Sequence, residues 1–490
     1  MENLAPPRMA HATHVIPVAA SDGEIVVATA APARERWSWA LYDFANTIFS
    51  MNIATLYFAV WLVSDLGVGR NTPVAIGNGI SSLLVAISIP VLGAISDATR
   101  RRKPWVVWFT VLACAATVAI AIIGQTVVPI VGDQTIGGAP VAPGWQLPTP
   151  ALVAIIIAFV VANYAYQAAQ PFYNAMLPEL APVHEQGRLS GLGTALGYVG
   201  SIAGVVLVSG FFSGSIAGVV PLPDGLLRTL RRVVPFTSHA GRVSTFVPTA
   251  LLFLLFTVPL MIWCRDHLAG TVARTRVKWR EAFAEVAHTI RDAKQHPGAL
   301  RFILASFLYQ DAMGTIISYM ALYAVVAMGF AKGTEQKLFL VLTLPAVVGA
   351  YLCGILTDRI GPKKTLMFVI AGWVVLLTAM ILAPSQQAFW IVGFFIGLIY
   401  GGVSTAERPL LLSLIPDVEA GRYFGLMVLS ARAAAVLGPF IWAFAVDGLS
   451  PHFGTGIAYR AAVASVAVAM VLALFILRKV PDTFGKVKAR

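Results

Sequence analysis

Charged residues are scarce in this chain. Asp, Glu, Lys and Arg make up 12% of its 490 residues, whereas hydrophobic residues make up 58%. Soluble globular domains carry roughly twice that charged fraction. The composition therefore excludes a soluble globular protein, and the length fits about a dozen membrane spans of about 20 residues with their loops.

Cysteine is scarce as well, and the sequence has no nucleotide-binding loop. The three cysteines, Cys114, Cys264 and Cys353, lie in or at the ends of apolar segments without the spacing of a metal or redox site, so we interpret them as buried apolar side chains. No G-x-x-x-x-G-K-S/T loop occurs, which argues against ATP as the energy source. The eight histidines show no metal spacing and no nucleophile motif accompanies them, so we expect no cofactor and no enzymatic activity.

Long apolar runs are what the sequence has in abundance. They predict twelve membrane spans, near 38–63, 75–96, 105–127, 151–174, 189–213, 244–264, 300–328, 338–357, 365–384, 387–406, 423–446 and 458–478. The cations fall mainly in alternate short loops, which predicts that both termini are cytoplasmic and that the net charge of +12 orients the chain in a membrane rather than binding nucleic acid. Four arginines in the loop between the fifth and sixth spans disagree with this rule: Arg228, Arg231, Arg232 and Arg242.

The segments outside the spans complete the predicted organisation. Residues 1–36 are rich in Ala and Pro and lack the basic and apolar regions of a signal peptide, so we expect a disordered cytoplasmic tail. Residues 265–298 alternate apolar and charged positions at helical spacing, which predicts a surface helix that lies on the cytoplasmic face against anionic lipid and links two halves, 37–264 and 299–480. Residues 481–490 form a second cytoplasmic tail.

Two short stretches repeat each other about half a chain apart. The first runs from Gly93 through Asp97 to a basic cluster, and the second from Gly354 through Asp358 to another. Gly allows close helix approach, Asp can cap a neighbouring helix, and cations remain on the cytoplasmic side. The repetition predicts an all-α membrane protein with twelve transmembrane helices in two pseudo-twofold six-helix halves.

A second repeated pattern supports the duplication. A Pro–acid pair ends the fourth span and precedes Gly187-Arg188, and another ends the tenth and precedes Gly421-Arg422. A carboxylate or arginine near such a helix end can pair with the neighbouring repeated loop. We interpret these residues as structural latches rather than as ligands of a substrate.

The second copy of the loop resembles the motif G-x-L-x-D-R-x-G-x-K-K of the major facilitator superfamily of secondary transporters. The first copy departs from it, because Ala98 stands where Arg is usual and Arg100 where Gly is usual. The resemblance implies the major facilitator fold and gating loops, whose residues here are Gly93, Asp97, Arg101, Gly354, Asp358, Arg359 and Gly361, with Arg188 and Arg422.

Four separated motifs resemble the vacuole-effluxer branch of this superfamily, which includes autophagy-linked amino-acid effluxers and bacterial relatives. They are Trp39 to Asn46, Pro171 to Pro182, Phe307 to Asp311, and Phe424 to Leu426 with Arg432 and Leu437-Gly438-Pro439. Glu407-Arg408-Pro409 and Arg432 depart from the usual pattern. The resemblance implies a bacterial inner-membrane protein that moves a small polar solute, an amino acid above all, by alternating access.

Polar side chains recur on one face of the first, fourth, seventh and tenth spans. These four helices surround the central cavity in the fold that the chain resembles, and polar groups in hydrocarbon are costly unless they are paired or hydrated. We therefore predict that the substrate-binding residues are Asp43, Asn46, Asn163, Tyr166, Gln167, Gln170, Tyr309, Tyr400 and Ser404. Hydrogen bonding between helices is the alternative for any one of them.

Two charged residues lie at similar depth in the membrane. Asp311 and Arg432 are each about ten residues from a cytoplasmic end, or about 15 Å at the standard helical rise. We expect an ion pair between Asp311 and Arg432, with Asp43 as the alternative partner of Arg432. The pair serves either to couple transport to a gradient or to stabilise the structure. The energy source is then a proton or solute gradient, with Asp311 or Asp43 as the titrating group.

Three other functions remain open on the sequence alone. A drug or lipid exporter requires a wider and more apolar cavity, and a non-transporting receptor does not require duplicated gating loops. An enzyme is disfavoured because the sequence has no metal spacing and no nucleophile motif. The expected partners are a small-molecule solute, protons and membrane lipid, with no nucleic acid and with a monomer favoured.

Overall fold

Twelve long helices dominate the described part of the computed structural model. It describes residues 17–19, 25–27, 30–62, 66, 72–127, 135–136, 139–140, 148–216, 220–237, 242–267, 297–330, 335–416 and 419–484. The helices, in chain order, are α1 (Ala33–Phe49, continued by a π-helical stretch at Ser50–Tyr57 and by Phe58–Val60), α2 (Thr72–Thr99), α3 (Lys103–Val127), α4 (Thr149–Ala175), α5 (Gln186–Ser213), α6 (Phe246–Trp263, preceded by a 3₁₀ turn at Arg242–Thr245), α7 (Pro297–Val326), α8 (Glu335–Ile360), α9 (Pro362–Leu382), α10 (Gln386–Leu412), α11 (Ala420–Phe453) and α12 (Thr455–Arg478).

The helices have the length and the surface of membrane spans. Within the described ranges, nine of them are long and apolar enough to cross a bilayer. The other three are α1, α7 and α11, which carry charged residues such as Asp43, Asp311 and Arg422. Large apolar side chains such as Leu83 and Phe444 are exposed on the outside of the bundle. Such a surface is favourable in a lipid bilayer, where the exposed side chains contact acyl chains instead of water.

The helices form two halves of six, α1–α6 and α7–α12. Most of the connecting segment lies outside the described residues, and the surface helix predicted for 265–298 falls there. The two halves contact each other where α2 meets α11 and where α5 meets α8 and α10. The α2–α3 and α8–α9 turns mark one end of the bundle, which we call the motif face.

The two turns at the motif face are built alike, although their sequences differ. Gly361, between α8 and α9, has a φ of 94°, a backbone conformation that glycine adopts without strain. Arg100 takes the same place in the first turn and has a φ of 52°. The departure from the motif at Arg100 therefore keeps the left-handed turn, at a cost of about 1 to 2 kcal/mol for a residue with a Cβ.

Regular structure also occurs in the segment predicted to be a disordered tail. Pro17–Ala19 pairs antiparallel with Ile25–Val27, and α1 begins at Ala33, four residues before the predicted boundary. The Ala31 N–H donates to the Leu180 carbonyl at 3.0 Å. The β-branched run Ile25–Val27 favours a strand, and its contacts with the short helix Leu177–Leu180 position it.

Candidate functional site

Two aspartates of the motif face cap helices of the opposite half. Asp97, on α2, accepts hydrogen bonds from the backbone N–H groups of Gly421 and Arg422 at 3.0 and 2.8 Å. Asp358, on α8, accepts them from Gly187 and Arg188 at 2.8 and 3.0 Å. A carboxylate at a helix N-terminus is stabilised by the free N–H groups and by the helix dipole. Each half therefore places one carboxylate on a helix start of the other half.

Glycines allow the backbones to approach closely enough for these caps. A Cβ on Gly93 would lie 2.6 Å from the Gly421 carbonyl oxygen, and one on Gly354 would lie 2.7 Å from that of Gly187. In both copies the glycine comes four residues before the aspartate, so both lie on the same helix face. The four-residue spacing of the repeated motif thus places a close helix contact and a helix cap on the same face.

The arginines of the predicted gating loops surround these caps. Arg188 also approaches Asp358 through its side chain, with Nε 3.4 Å from Oδ2, and Arg422 lies 3.8 Å from Glu419. Arg101 and Arg359 are exposed at the motif face.

Sequence reasoning missed Arg102, which is fully buried. Its Nη2 lies 3.6 Å from Asp97, and its Nη1 lies 3.0 Å from Glu179. Four consecutive cations, Arg100 to Lys103, lead into the start of α3, and the sequence gives no signal for which one turns inward.

A buried ion pair joins the halves nearer the centre of the bundle. Arg408 of α10 donates from Nη1 to Oδ2 of Asp43 on α1 at 3.0 Å, and both side chains are at most 10% exposed. The guanidinium lies 5.8 Å from the Trp39 ring and 5.6 Å from the Tyr173 ring, which stack on each other at 4.4 Å. Cation–π contact adds to the stabilisation of the buried charge.

Glu407 lies beside this pair. Its Oε2 accepts hydrogen bonds from the Tyr309 hydroxyl and the Gln310 side-chain amide, both at 2.9 Å. One sequence signal could have identified both charges of α10. Pro171 and Pro178 lie seven residues apart in the first half, as Pro409 and Pro416 do in the second, so Glu407-Arg408 occupies the place of Ala169-Gln170.

The predicted pair of Asp311 and Arg432 remains a prediction. Asp311 is buried and accepts a hydrogen bond from the Gly438 N–H of α11 at 2.8 Å. Arg432 lies in α11, but its side chain falls outside the described part of the structure. Asp43, the proposed alternative partner of Arg432, bonds to Arg408.

The polar face of α4 meets α2. Asn163 donates from Nδ2 to Asn78 at 3.0 Å and to Ser81 at 2.7 Å, and Gln167 donates to Asn163 at 3.0 Å. Hydrogen bonding between helices, the alternative to cavity lining, thus describes Asn163. The predicted residues Gln170, Tyr166, Tyr400 and Ser404 are half-buried.

Four amide oxygens on α1 and α4 lack a partner among the described groups. They belong to the buried side chains of Asn46, Asn52, Gln167 and Asn174. Buried polar atoms are normally hydrogen-bonded, so these oxygens suit a polar ligand or water.

Replacing Gln167 by Leu removes one of these acceptors at nearly constant volume. We expect binding of a polar substrate to weaken about tenfold, since a lost hydrogen bond in a buried site costs about 1 to 3 kcal/mol. Tyr164→Phe is the matched control, because Tyr164 also bonds from α4 to α2, at Ser88, outside the polar face. Equal substrate affinities in the two variants would show that the binding site does not include the polar face of α4.

A charged network ties the end of the first half to its start. His267, just after α6, lies with Nε2 2.9 Å from Oε2 of Glu35, and its backbone N–H donates to Glu179 at 2.9 Å. Asp266 accepts from the backbone N–H groups at the start of α3. The hydrogen bond to Glu35 raises the pKa of His267 above its ordinary value of 6.5, with the Glu179 carboxylate acting in the same direction and burial and Arg265 against it.

This raised pKa predicts a pH dependence of stability. A histidine whose folded pKa is raised stabilises the fold fully below its unfolded pKa, about 6.5, and that contribution is lost as the pH rises through the folded value. The difference in melting temperature between the wild type and His267→Gln should therefore shrink between pH 6 and pH 9. His184→Gln, at an exposed histidine on the same face, is the control. A difference independent of pH would exclude the charged pair.

Comparisons with known proteins agree with this architecture. Residues 67–490 match the family model described as "Vacuole effluxer Atg22 like". The chain is 24% identical to the MFS-type transporter YxiO of Bacillus subtilis, over 91% of this chain and 94% of that protein. It is 21% identical to autophagy-related protein 22 of Botryotinia fuckeliana, over 85% and 71%, and 24% identical to the multidrug resistance protein MdtG of Proteus mirabilis, over 78% and 82%.

Solved structures show the same fold. The human organic anion transporter MFSD10 superposes with a TM-score of 0.64 at 12% identity, over 91% of this chain and all of that chain. A bacterial homologue of the iron transporter ferroportin in its outward-facing state gives 0.61 at 16% identity, over 91% and 98%. The predicted twelve-helix major facilitator fold is thereby confirmed, and the relatives are transporters rather than enzymes. The chain belongs to the vacuole effluxer Atg22-like family of the major facilitator superfamily.

Proposed function

We propose that this secondary transporter exports a small zwitterionic solute, an amino acid, by alternating access and with proton coupling. The motif face and both termini lie on the cytoplasmic side of a bacterial inner membrane, and one chain forms the whole transport unit. The observation that carries the proposal is the buried Asp43–Arg408 pair, one residue from each half.

This pair is complementary to an amino acid. The carboxylate of Asp43 matches an α-ammonium group, and the Arg408 guanidinium matches an α-carboxylate, which arginine binds with two parallel hydrogen bonds. An amino acid that inserts between them replaces one ion pair by two without stranding either charge. The relatives named for autophagy and vacuolar efflux are consistent with this class of solute.

The same pair can couple transport to protons. Asp43 loses its attraction for Arg408 when it is protonated, and the two halves then lose a contact near the centre of the bundle. A proton and the solute ammonium compete for one carboxylate, which gives exchange of one for the other. Asp311 and Glu407 are further titratable groups in the second half, and no described cation lies within ion-pair distance of either.

The structure fits a cycle in which the motif face opens and closes. The caps at Asp97 and Asp358 and the Asp43–Arg408 pair all join the halves in this conformation. Opening toward the motif face requires all three contacts to break. A ligand that bridges the central pair changes the balance between the two conformations through its different affinity for each.

Proteoliposomes test the proposal. The purified chain should exchange labelled amino acids across the membrane, and a pH gradient should drive their accumulation. The amine without the carboxylate and the N-acetylated amino acid should compete poorly, since each lacks one of the two charges. Transport of hydrophobic dyes with no effect of amino acids would instead favour a drug exporter, the function in the name of the MdtG relative.

A further inference from the structure

A cleft opens at the motif face where the two halves meet. It has a volume of about 230 Å³, with walls from the starts of α1 and α5 and from α8. Its lining includes Arg36, Trp37, Glu185, Arg188, Leu192 and Tyr351. None of these residues belongs to the central pair or to the polar faces that surround it.

Two arginines, Arg36 and Arg188, line the cleft. Arg36 bonds through Nη1 to Glu185 at 2.9 Å, and 34% of its side chain is exposed. Arg188 reaches Asp358 through Nε at 3.4 Å, and 58% of its side chain is exposed. The Asp358 carboxylate already accepts two backbone N–H groups. Each guanidinium group thus already pairs with one carboxylate, and its exposed part keeps N–H donors for an anionic acceptor.

Aromatic and apolar side chains also line the cleft. Trp37 and Tyr351 are 56% and 48% exposed, and Val348 and Leu352 on the same helix as Tyr351 are exposed beside it. Trp and Tyr are enriched where membrane proteins meet the interface between lipid headgroups and water. Exposed apolar side chains next to a charged pocket at this level suit the acyl chains of a lipid.

We propose that this cleft binds an anionic phospholipid, with the headgroup phosphate on Arg36 and Arg188 and an acyl chain along Leu192 and Tyr351. Arginine matches phosphate geometry with two hydrogen bonds. A phosphatidylcholine headgroup adds a cation beside these two arginines, whereas phosphatidylglycerol adds none, so the net negative headgroup is favoured. A free phosphate would leave the aromatic wall without a contact.

The position of the cleft gives the lipid an effect on transport. Its walls come from both halves, so it has this shape only while α5 and α8 are together. Arg188 also contributes its backbone N–H to the Asp358 cap. A bound lipid therefore stabilises the conformation that is closed at the motif face, since a ligand favours the state that it binds better.

Native mass spectrometry of the detergent-solubilised full chain tests the site, with phosphatidylglycerol as the probe and phosphatidylcholine as the neutral comparison. Arg36→Gln/Arg188→Gln should weaken phosphatidylglycerol binding at least tenfold. Arg301→Gln/Lys363→Gln, which removes two cations of the same face outside the cleft, should leave it unchanged. Inorganic phosphate should not displace the lipid.

A variant with a gain of binding guards against misfolding as an explanation. Glu185→Gln frees the Arg36 guanidinium from its partner and should strengthen phosphatidylglycerol binding severalfold. Equal binding in the two double variants, equal binding of both lipids, or displacement by inorganic phosphate would each overturn the proposal. Unchanged or weaker binding in Glu185→Gln would also contradict it.

Discussion

Replacing Arg408 by Leu should abolish transport and destabilise the protein. The change strands the Asp43 carboxylate in a buried site, and removing one partner of a buried ion pair costs about 3 to 5 kcal/mol. It also removes the cation from the Trp39 and Tyr173 rings. We expect transport in proteoliposomes to fall at least about 100-fold, the equivalent of about 3 kcal/mol, with a lower melting temperature in detergent.

Two further variants separate function from stability. Arg408→Lys keeps the charge but not the paired hydrogen bonds, so it should fold well and transport slowly. Asp43→Asn combined with Arg408→Leu removes both charges and should recover most of the melting temperature without recovering transport. If the double variant regains transport as well, the pair is only structural, and Asp311 or Glu407 becomes the first candidate for coupling.

Removing both caps of the motif face should shift the protein toward the conformation that is open on that side. Asp97→Ala and Asp358→Ala each delete two hydrogen bonds from a carboxylate to a helix N-terminus. Hydrogen bonds to charged groups contribute about 1.5 to 3 kcal/mol, so each change should move the equilibrium about tenfold or more.

Spin labels at His184 and Lys479, one on each half and both exposed, measure this shift. The distance distribution should gain a longer component in each single variant and become mainly long in the double variant. Asp482→Ala is the control, because its carboxylate pairs with Lys364 within the second half. Distances that are unchanged in the double variant would show that the caps do not set the conformation.

The sequence by itself determined the membrane class, the twelve spans and the duplication. These features depend on local properties, because an apolar run of about 20 residues crosses a bilayer whatever its neighbours are. The repeated Gly and Asp, four residues apart, also predicted a helix contact and a cap, since that spacing is one helical turn. The boundaries of α11 were less predictable, and the helix runs from Ala420 to Phe453, beyond the apolar run that predicted it.

Only the tertiary structure decided which charges meet. Asp43 and Arg408 are 365 residues apart, and their contact depends on the rotation and depth at which α1 and α10 lie against each other. The periodicity of one helix tells which side chains share a face, but it does not tell which helix that face meets. For the same reason Asn163 shares a face with Gln167 yet bonds to α2, and Arg102 rather than its three cationic neighbours turns inward to Asp97 and Glu179. Pairing across the bundle is a property of the packed helices, because it requires both partners at one depth and on facing sides.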